Sequence, residues 1–206
     1  QFAEFVAYWS SYMEKEMAFM EETKRVTGKK GFSLRDMVLC ALFAAILAVS
    51  AWLTVPGEVP FTLQTFGVFA ALGLLGGKRG TIAIALYLVL GAVGLPVFSG
   101  FRGGFGVLLG TTGGYIFGFL LSGLLYWALT ALLGNRGWVR LLAMVLGLLL
   151  CYAAGTGWFL LVYLQKTGPI SLGVVLAKCV VPFLLPDAVK LTLAWLLSHR
   201  LARHVP

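Results

Sequence analysis

Two stretches of this chain carry residues that could do chemistry, and both sit in otherwise apolar sequence. The first is Pro186-Asp-Ala-Val-Lys190, an acid and a base three positions apart; on a helix such residues share a face. Asp187 is the only acid after Glu58, and a carboxylate at membrane depth is costly unless paired or solvated, so it is a functional candidate by default. The plainer reading is that Asp187 and Lys190 neutralise each other, yet such a pair keeps lone pairs and N–H groups that a ligand could use. The second stretch, Gly94 to Tyr115, packs glycines among aromatics around Arg102. Backbone of that composition leaves N–H and C=O groups unpaired, and within a membrane these persist only where buried in protein or lining a cavity. It reads as a binding loop. Together the two stretches predict a pocket in which Asp187 accepts N–H groups, Arg102 and Lys190 meet a carboxylate or carbonyl, and aromatics hold an apolar body. A small amphiphilic acid bearing N–H donors fits this inventory. Lys178 reads as a rim or snorkelling charge.

No catalytic or metal centre is expected. His199 and His204 lie at the C-terminal end, and Cys40, Cys151 and Cys179 are far apart in apolar runs, without the spacing of a nucleophile–base pair or a zinc site. The cysteines read as buried small hydrophobes. Gly77-Lys78 is followed by Arg79, with Leu72 where a phosphate loop needs its leading glycine, and the glycines around 104 and 106 lack the third of the dinucleotide fingerprint. No cofactor is therefore expected in this chain.

The elements that must position these residues follow from composition. Of 206 residues, 60% are hydrophobic and 12% charged, with a mean hydropathy of +0.93; soluble domains are about half apolar and about a quarter charged. The 16 Lys/Arg and 8 Asp/Glu are too few to clothe a soluble enzyme, while the 26 glycines suit membrane helices. Apolar stretches at 37–57, 59–77, 80–101, 103–135, 141–165 and 170–199 compare with the about 20 residues of a membrane-crossing helix. The expectation is an all-α integral membrane protein: six transmembrane helices with structured outer loops over residues 31–206. Residues 103–110 are expected to be non-helical. Pro186 is expected to start the last helix, because proline suits a first turn, and residues 171–185 to form a separate, partly helical layer.

Residues 1–30 differ. Phe2, Phe5, Val6, Trp9, Tyr12, Met13, Met17 and Met20 recur at three- and four-residue steps among Glu4, Glu14, Glu16, Glu21 and Glu22, which predicts an amphipathic helix. It is read as an extension, or a foreign remnant, outside the membrane domain. Its acidic face gains no electrostatic help from anionic lipid. Lys24, Arg25, Lys29, Lys30, Arg35, Lys78, Arg79, Arg136, Arg140, Arg200 and Arg203 fall on one side of the expected topology, against Arg102 and Lys166 on the other. The positive-inside rule then places both termini in the cytoplasm. The net charge of +8 reflects that asymmetry rather than nucleic-acid binding. On the first span, Ala41, Ala44, Ala45 and Ala48 make two overlapping small-xxx-small pairs, suited to close helix contact.

At these residues the chain resembles the BioY family, the biotin-specific substrate-binding (S) components of energy-coupling factor (ECF) vitamin transporters. The likeness rests on Val59-Pro-Phe-Thr-Leu-Gln-Thr-Phe66, Gly94-Leu-Pro-Val-Phe98, Gly103-Gly-Phe-Gly-Val-Leu-Leu-Gly110 with Thr112-Gly-Gly-Tyr115, and Pro186-Asp-Ala-Val-Lys190, within about residues 31 to 203. Thr111 departs from the family, which usually has proline there. The resemblance implies a six-helix fold in a prokaryotic plasma membrane that binds biotin from outside with high affinity. Asp187 would accept the ureido N–H groups, Lys190 would assist at the ureido or carboxylate end, and Arg102, Tyr115, Gln64 and Phe98 would complete the substrate-binding set. Ala41, Ala44, Ala45 and Ala48 would dock a transmembrane, EcfT-like coupling subunit. Since no nucleotide motif is present, uptake would also need separate ATPase subunits, with the whole bundle reorienting. The alternatives are an S component for another vitamin or a biotin precursor, a stand-alone biotin facilitator, and an intramembrane enzyme for which no acid–base pair is placed.

Overall fold

The computed structural model describes residues 14–15, 32–57 and 59–201; apart from the helical residues 14–15, the amphipathic helix expected over residues 1–30 lies outside them. The chain divides into two compact units, residues 1–37 and 38–206. In the first, helix α1 (Leu34–Trp52) begins with a capping box. The Asp36 backbone N–H donates to Ser33 Oγ at 3.2 Å, and the Ser33 N–H donates to Asp36 Oδ2 at 3.1 Å, satisfying two donors that a helix start otherwise leaves open.

The second unit continues through a small antiparallel hairpin of β1 (Thr54–Val55) and β2 (Phe61–Thr62), in which Thr54 faces Thr62. Then follow α2 (Gln64–Val93), a single turn α3 (Phe105–Leu108), α4 (Gly113–Leu133), α5 (Gly137–Lys166), α6 (Leu172–Cys179) and α7 (Val181–Leu201). Helix α2 is broken at Gly76, whose φ of 81° and ψ of 169° only glycine adopts without penalty. There the chain folds back. Gln64, at the head of the first arm, bonds Tyr87 in the second, and a Cβ on Gly80 would stand 2.8 Å from the Cα of Leu72. The arms therefore run antiparallel in backbone contact.

This corrects the six-helix expectation. Among the described residues, four helical segments are long and apolar enough to cross a membrane by length and composition: Leu34–Trp52, Gly113–Leu133, Gly137–Lys166 and Leu172–Leu201. The expected second and third spans, 59–77 and 80–101, resolve into the two arms of α2, of which the first is the short apolar helix Gln64–Leu75. Their remaining residues form the hairpin strand and a loop. Hydropathy counted those residues as span because they are apolar, although their backbone is not helical. Two smaller expectations also change. Residues 103–110 contain the turn α3, and Pro186 lies inside α7 rather than at its start. Pro182 takes the first-turn position, where a missing N–H is harmless.

Helices α4 and α5 are joined along a seam of small residues. A Cβ on Gly118 would meet Cys151 Sγ at 2.9 Å, and one on Gly147 would meet Ser122 Cβ at 3.2 Å. Ser122 Oγ lies 2.8 Å from the Gly118 carbonyl and 2.6 Å from that of Gly147. Towards the Gly76 bend the interior is filled: Leu72, Ala143, Met144 and Ala194 are fully buried, and Gly73 packs against Met144 and Ser198. The arm contact gives a stability prediction. Gly80→Val must push the arms apart, and overpacking of this kind costs about 1–3 kcal/mol. Thermal unfolding in detergent should show a lower melting temperature; an unchanged one would mean the arms do not touch at Gly80.

Candidate functional site

At the end of this unit remote from the Gly76 bend, a cleft opens between the hairpin, the Gly94–Gly104 loop and the helices α4 to α7; it holds about 710 Å³ of empty space, counting the part open to the outside. Its polar centre is the pair on α7. Lys190 Nζ lies 2.8 Å from Asp187 Oδ1, with Asp187 3% and Lys190 8% exposed. Removing two charges from water costs several kcal/mol, offset only when geometry and further hydrogen bonds are good. Both are supplied. Tyr152 Oη donates to Asp187 Oδ2 at 2.7 Å, and Lys190 donates to the Thr62 carbonyl at 2.7 Å. The ammonium also stands 3.9 Å from the ring centroid of Phe61, which stacks on Phe183. Each carboxylate oxygen thus has one donor and keeps one lone pair free, and the ammonium keeps one N–H.

The glycine-rich loop forms the opposite wall. Gly94, at φ 111°, ends α2 in the left-handed conformation, and the Gly104 N–H donates to the Gly91 carbonyl at 2.6 Å. Phe98 is buried against Gly91, where any Cβ would enter its ring, and meets Tyr87 edge-on at 5.5 Å. Arg102 is held by its Nε donating to the Ser99 carbonyl at 3.1 Å, and the Ser99 and Thr54 hydroxyls are 2.9 Å apart. Trp52 at the end of α1 donates to the Pro96 carbonyl and stacks on Phe101 at 5.0 Å. The loop is therefore tied to the hairpin and to α1 rather than loose.

Asp187, Lys190, Arg102, Tyr115, Gln64 and Phe98 all line this one cleft. Tyr115 Oη is 3.2 Å from Thr156 Oγ1 and 3.4 Å from the Cys179 carbonyl; Gln64 Nε2 is 2.6 Å from Tyr87 Oη. Lys178 is exposed on α6 and lies outside the lining. The four alanines of α1 do not share a face: Ala44 and Ala48 are buried in the core, while Ala41 and Ala45 are exposed. Cys151 and Cys179, read from sequence only as buried hydrophobes, are buried and also line the cleft. Tyr152 was missed. Its signal is the recurrence of Tyr152 and Thr156, one turn apart, on an otherwise apolar helix. Among the described residues no three His, Cys, Asp or Glu side chains come together.

The pair makes its own prediction. Lys190→Met leaves Asp187 buried without its counter-charge, a change worth about 3–5 kcal/mol. The double change Asp187→Leu with Lys190→Met should be milder than the single one in detergent unfolding; a double change as damaging as Lys190→Met would contradict the coupling.

Comparison with known proteins gives the following. The BioY family profile matches residues 21–206. A biotin transporter BioY from Thermotoga maritima is 41% identical over 172 residues, covering 82% of this chain and 97% of that protein. A probable biotin transporter BioY from Pyrococcus horikoshii is 41% identical over 169 residues, 81% of this chain and 96% of that protein, and a biotin transporter BioY from Rhodobacter capsulatus is 34% identical, with 84% and 95% covered. Among solved structures, an S-component for biotin from an ECF-type ABC transporter superposes with a TM-score of 0.73 at 28% identity, covering 85% of this chain and 95% of that one.

Proposed function

The chain belongs to the BioY family, and on that premise we propose that it is the high-affinity biotin-binding S component of an ECF-type transporter. The observation that carries this reading is the buried Asp187–Lys190 pair, 2.8 Å apart, in a cleft otherwise lined mainly by apolar and aromatic side chains. Biotin joins a cyclic urea to an apolar ring and a chain ending in a carboxylate. In a cyclic urea each N–H lies beside the C=O, so one N–H meets the free lone pair of Asp187 while the spare N–H of Lys190 meets the carbonyl. Phe98, Tyr115 and Tyr152 contribute apolar surface, and Arg102 at the loop faces the carboxylate.

In this reading both termini of the multi-pass chain are cytoplasmic. Four crossings return the chain to its starting side, and the basic residues flanking the N- and C-terminal helices make that side the one the positive-inside rule favours. The small exposed Ala41 and Ala45 let a transmembrane coupling subunit approach α1 closely. Separate ATPase subunits supply the energy, and the bundle reorients in the surrounding lipid to deliver biotin inward.

Labelled biotin should bind the detergent-purified protein without nucleotide, and Asp187→Asn should weaken binding at least about tenfold, since a hydrogen bond to a charged group is worth about 1.5–3 kcal/mol. Equal binding by the folded variant would remove Asp187 from the site. For docking, Ala45→Leu should spare biotin binding but reduce co-purification with the coupling subunit, whereas Ala44→Leu, in the core, should lower thermal stability. Undiminished co-purification of Ala45→Leu would argue against α1 as the docking helix.

A further inference from the structure

The pocket contains an amide whose orientation is dictated by a residue outside it. Gln64 lines the cleft, is 5% exposed, and has its amide 2.6 Å from Tyr87 Oη. Tyr87, 1% exposed, is not part of the lining; on its far side its oxygen lies 3.2 Å from the carbonyl of Val97. A carbonyl only accepts, and a phenol has a single proton, so the contact with Val97 is a hydrogen bond only if Tyr87 donates to it. The remaining role of the Tyr87 oxygen towards Gln64 is then that of acceptor, and Gln64 must turn its NH2 to Tyr87. It is the network that assigns such an amide. The flipped amide would draw the proton to Gln64 and leave the buried phenol oxygen and the Val97 carbonyl facing each other as two acceptors.

The geometry points to Tyr87 as the positioning residue that makes Gln64 present its carbonyl oxygen, and not its NH2, to the ligand. Resting on the biotin reading above, this completes a pattern. Asp187 is an acceptor, Lys190 a donor, and Gln64 Oε1 a second acceptor. A cyclic urea shows the complementary sequence of donor, acceptor and donor across its N–H, C=O and N–H groups. Without the relay the second N–H would face an amide free to turn either way. Tyr87 thus acts on specificity through Gln64, without touching the ligand, while its bond to Val97 links that specificity to the loop that carries Phe98.

The test uses three probes on the full-length protein in detergent: biotin and its two mono-N-methyl derivatives, each lacking one ureido N–H. Wild type should bind biotin more tightly than either derivative. Tyr87→Phe should weaken biotin about tenfold, the loss of one hydrogen bond in a buried site. The same change should barely affect the derivative whose missing N–H faced Gln64, and Gln64→Met should spare that same derivative. A purely structural role for Tyr87 would instead lower all three probes by one factor, and that result overturns the proposal. So does a Tyr87→Phe protein that binds biotin as wild type does. If Tyr87→Phe does not fold, Gln64→Met must still spare one derivative and not the other, and a uniform loss over all three probes overturns the proposal. Failure of wild type to bind biotin at all would overturn the biotin reading itself, an outcome distinct from uniform weakening.

Discussion

Everything around the cleft depends on accommodating one carboxyl group where water is scarce. Asp187 is tolerable only because Lys190, three residues along α7, and Tyr152 on α5 each hold one of its oxygens. Lys190 in turn spreads its charge over the Thr62 carbonyl and the face of Phe61. The hairpin is thereby fastened to α7, and because Thr54 and Ser99 share a hydroxyl contact, the glycine-rich loop is fastened to the hairpin. The ion pair is thus one of the ties that place three segments distant in sequence. Since a buried pair is a weak source of net stability, its value lies in where it holds things and in the bonding capacity it leaves unused.

Much of the candidate site's lining was legible because polar residues in an apolar chain are conspicuous. Asp187 and Lys190 stood out by rarity and by helical spacing, and the loop around Arg102 by its mixture of glycine and aromatics. Gln64 and Phe98 had no such signal of their own and entered only through resemblance to a family. Tyr152 escaped because a tyrosine in an apolar helix looks like packing until its hydroxyl is seen to reach a partner. The relay from Val97 through Tyr87 was illegible in principle: it joins residues 64, 87 and 97 only once α2 has folded back.

The fold was read well where apolar length equals helix, as in α4 and α5, and badly where apolar residues serve another purpose. Val59 and Phe61 lengthen a supposed second span, yet Phe61 and Thr62 form the strand whose carbonyl receives Lys190. Leu95 to Phe101 do the same for the third while building the loop around Phe98. The reversal was legible as the break between 59–77 and 80–101 around Lys78 and Arg79, whereas the residue that makes it, Gly76, is told from its glycine neighbours only by its positive φ. The alanines of α1 show the same limit. Spacing alone grouped all four, whereas helix rotation turns Ala44 and Ala48 inward and leaves Ala41 and Ala45 outside.

The solid interior near the Gly76 bend has a kinetic consequence. With Leu72, Ala143, Met144 and Ala194 sealed and Gly73 pressed against Met144 and Ser198, the described residues pack densely between the cleft and the bend. On the proposed reading of the chain as a transport subunit, such packing favours a passenger ferried by a change of facing over one that leaks through a static body.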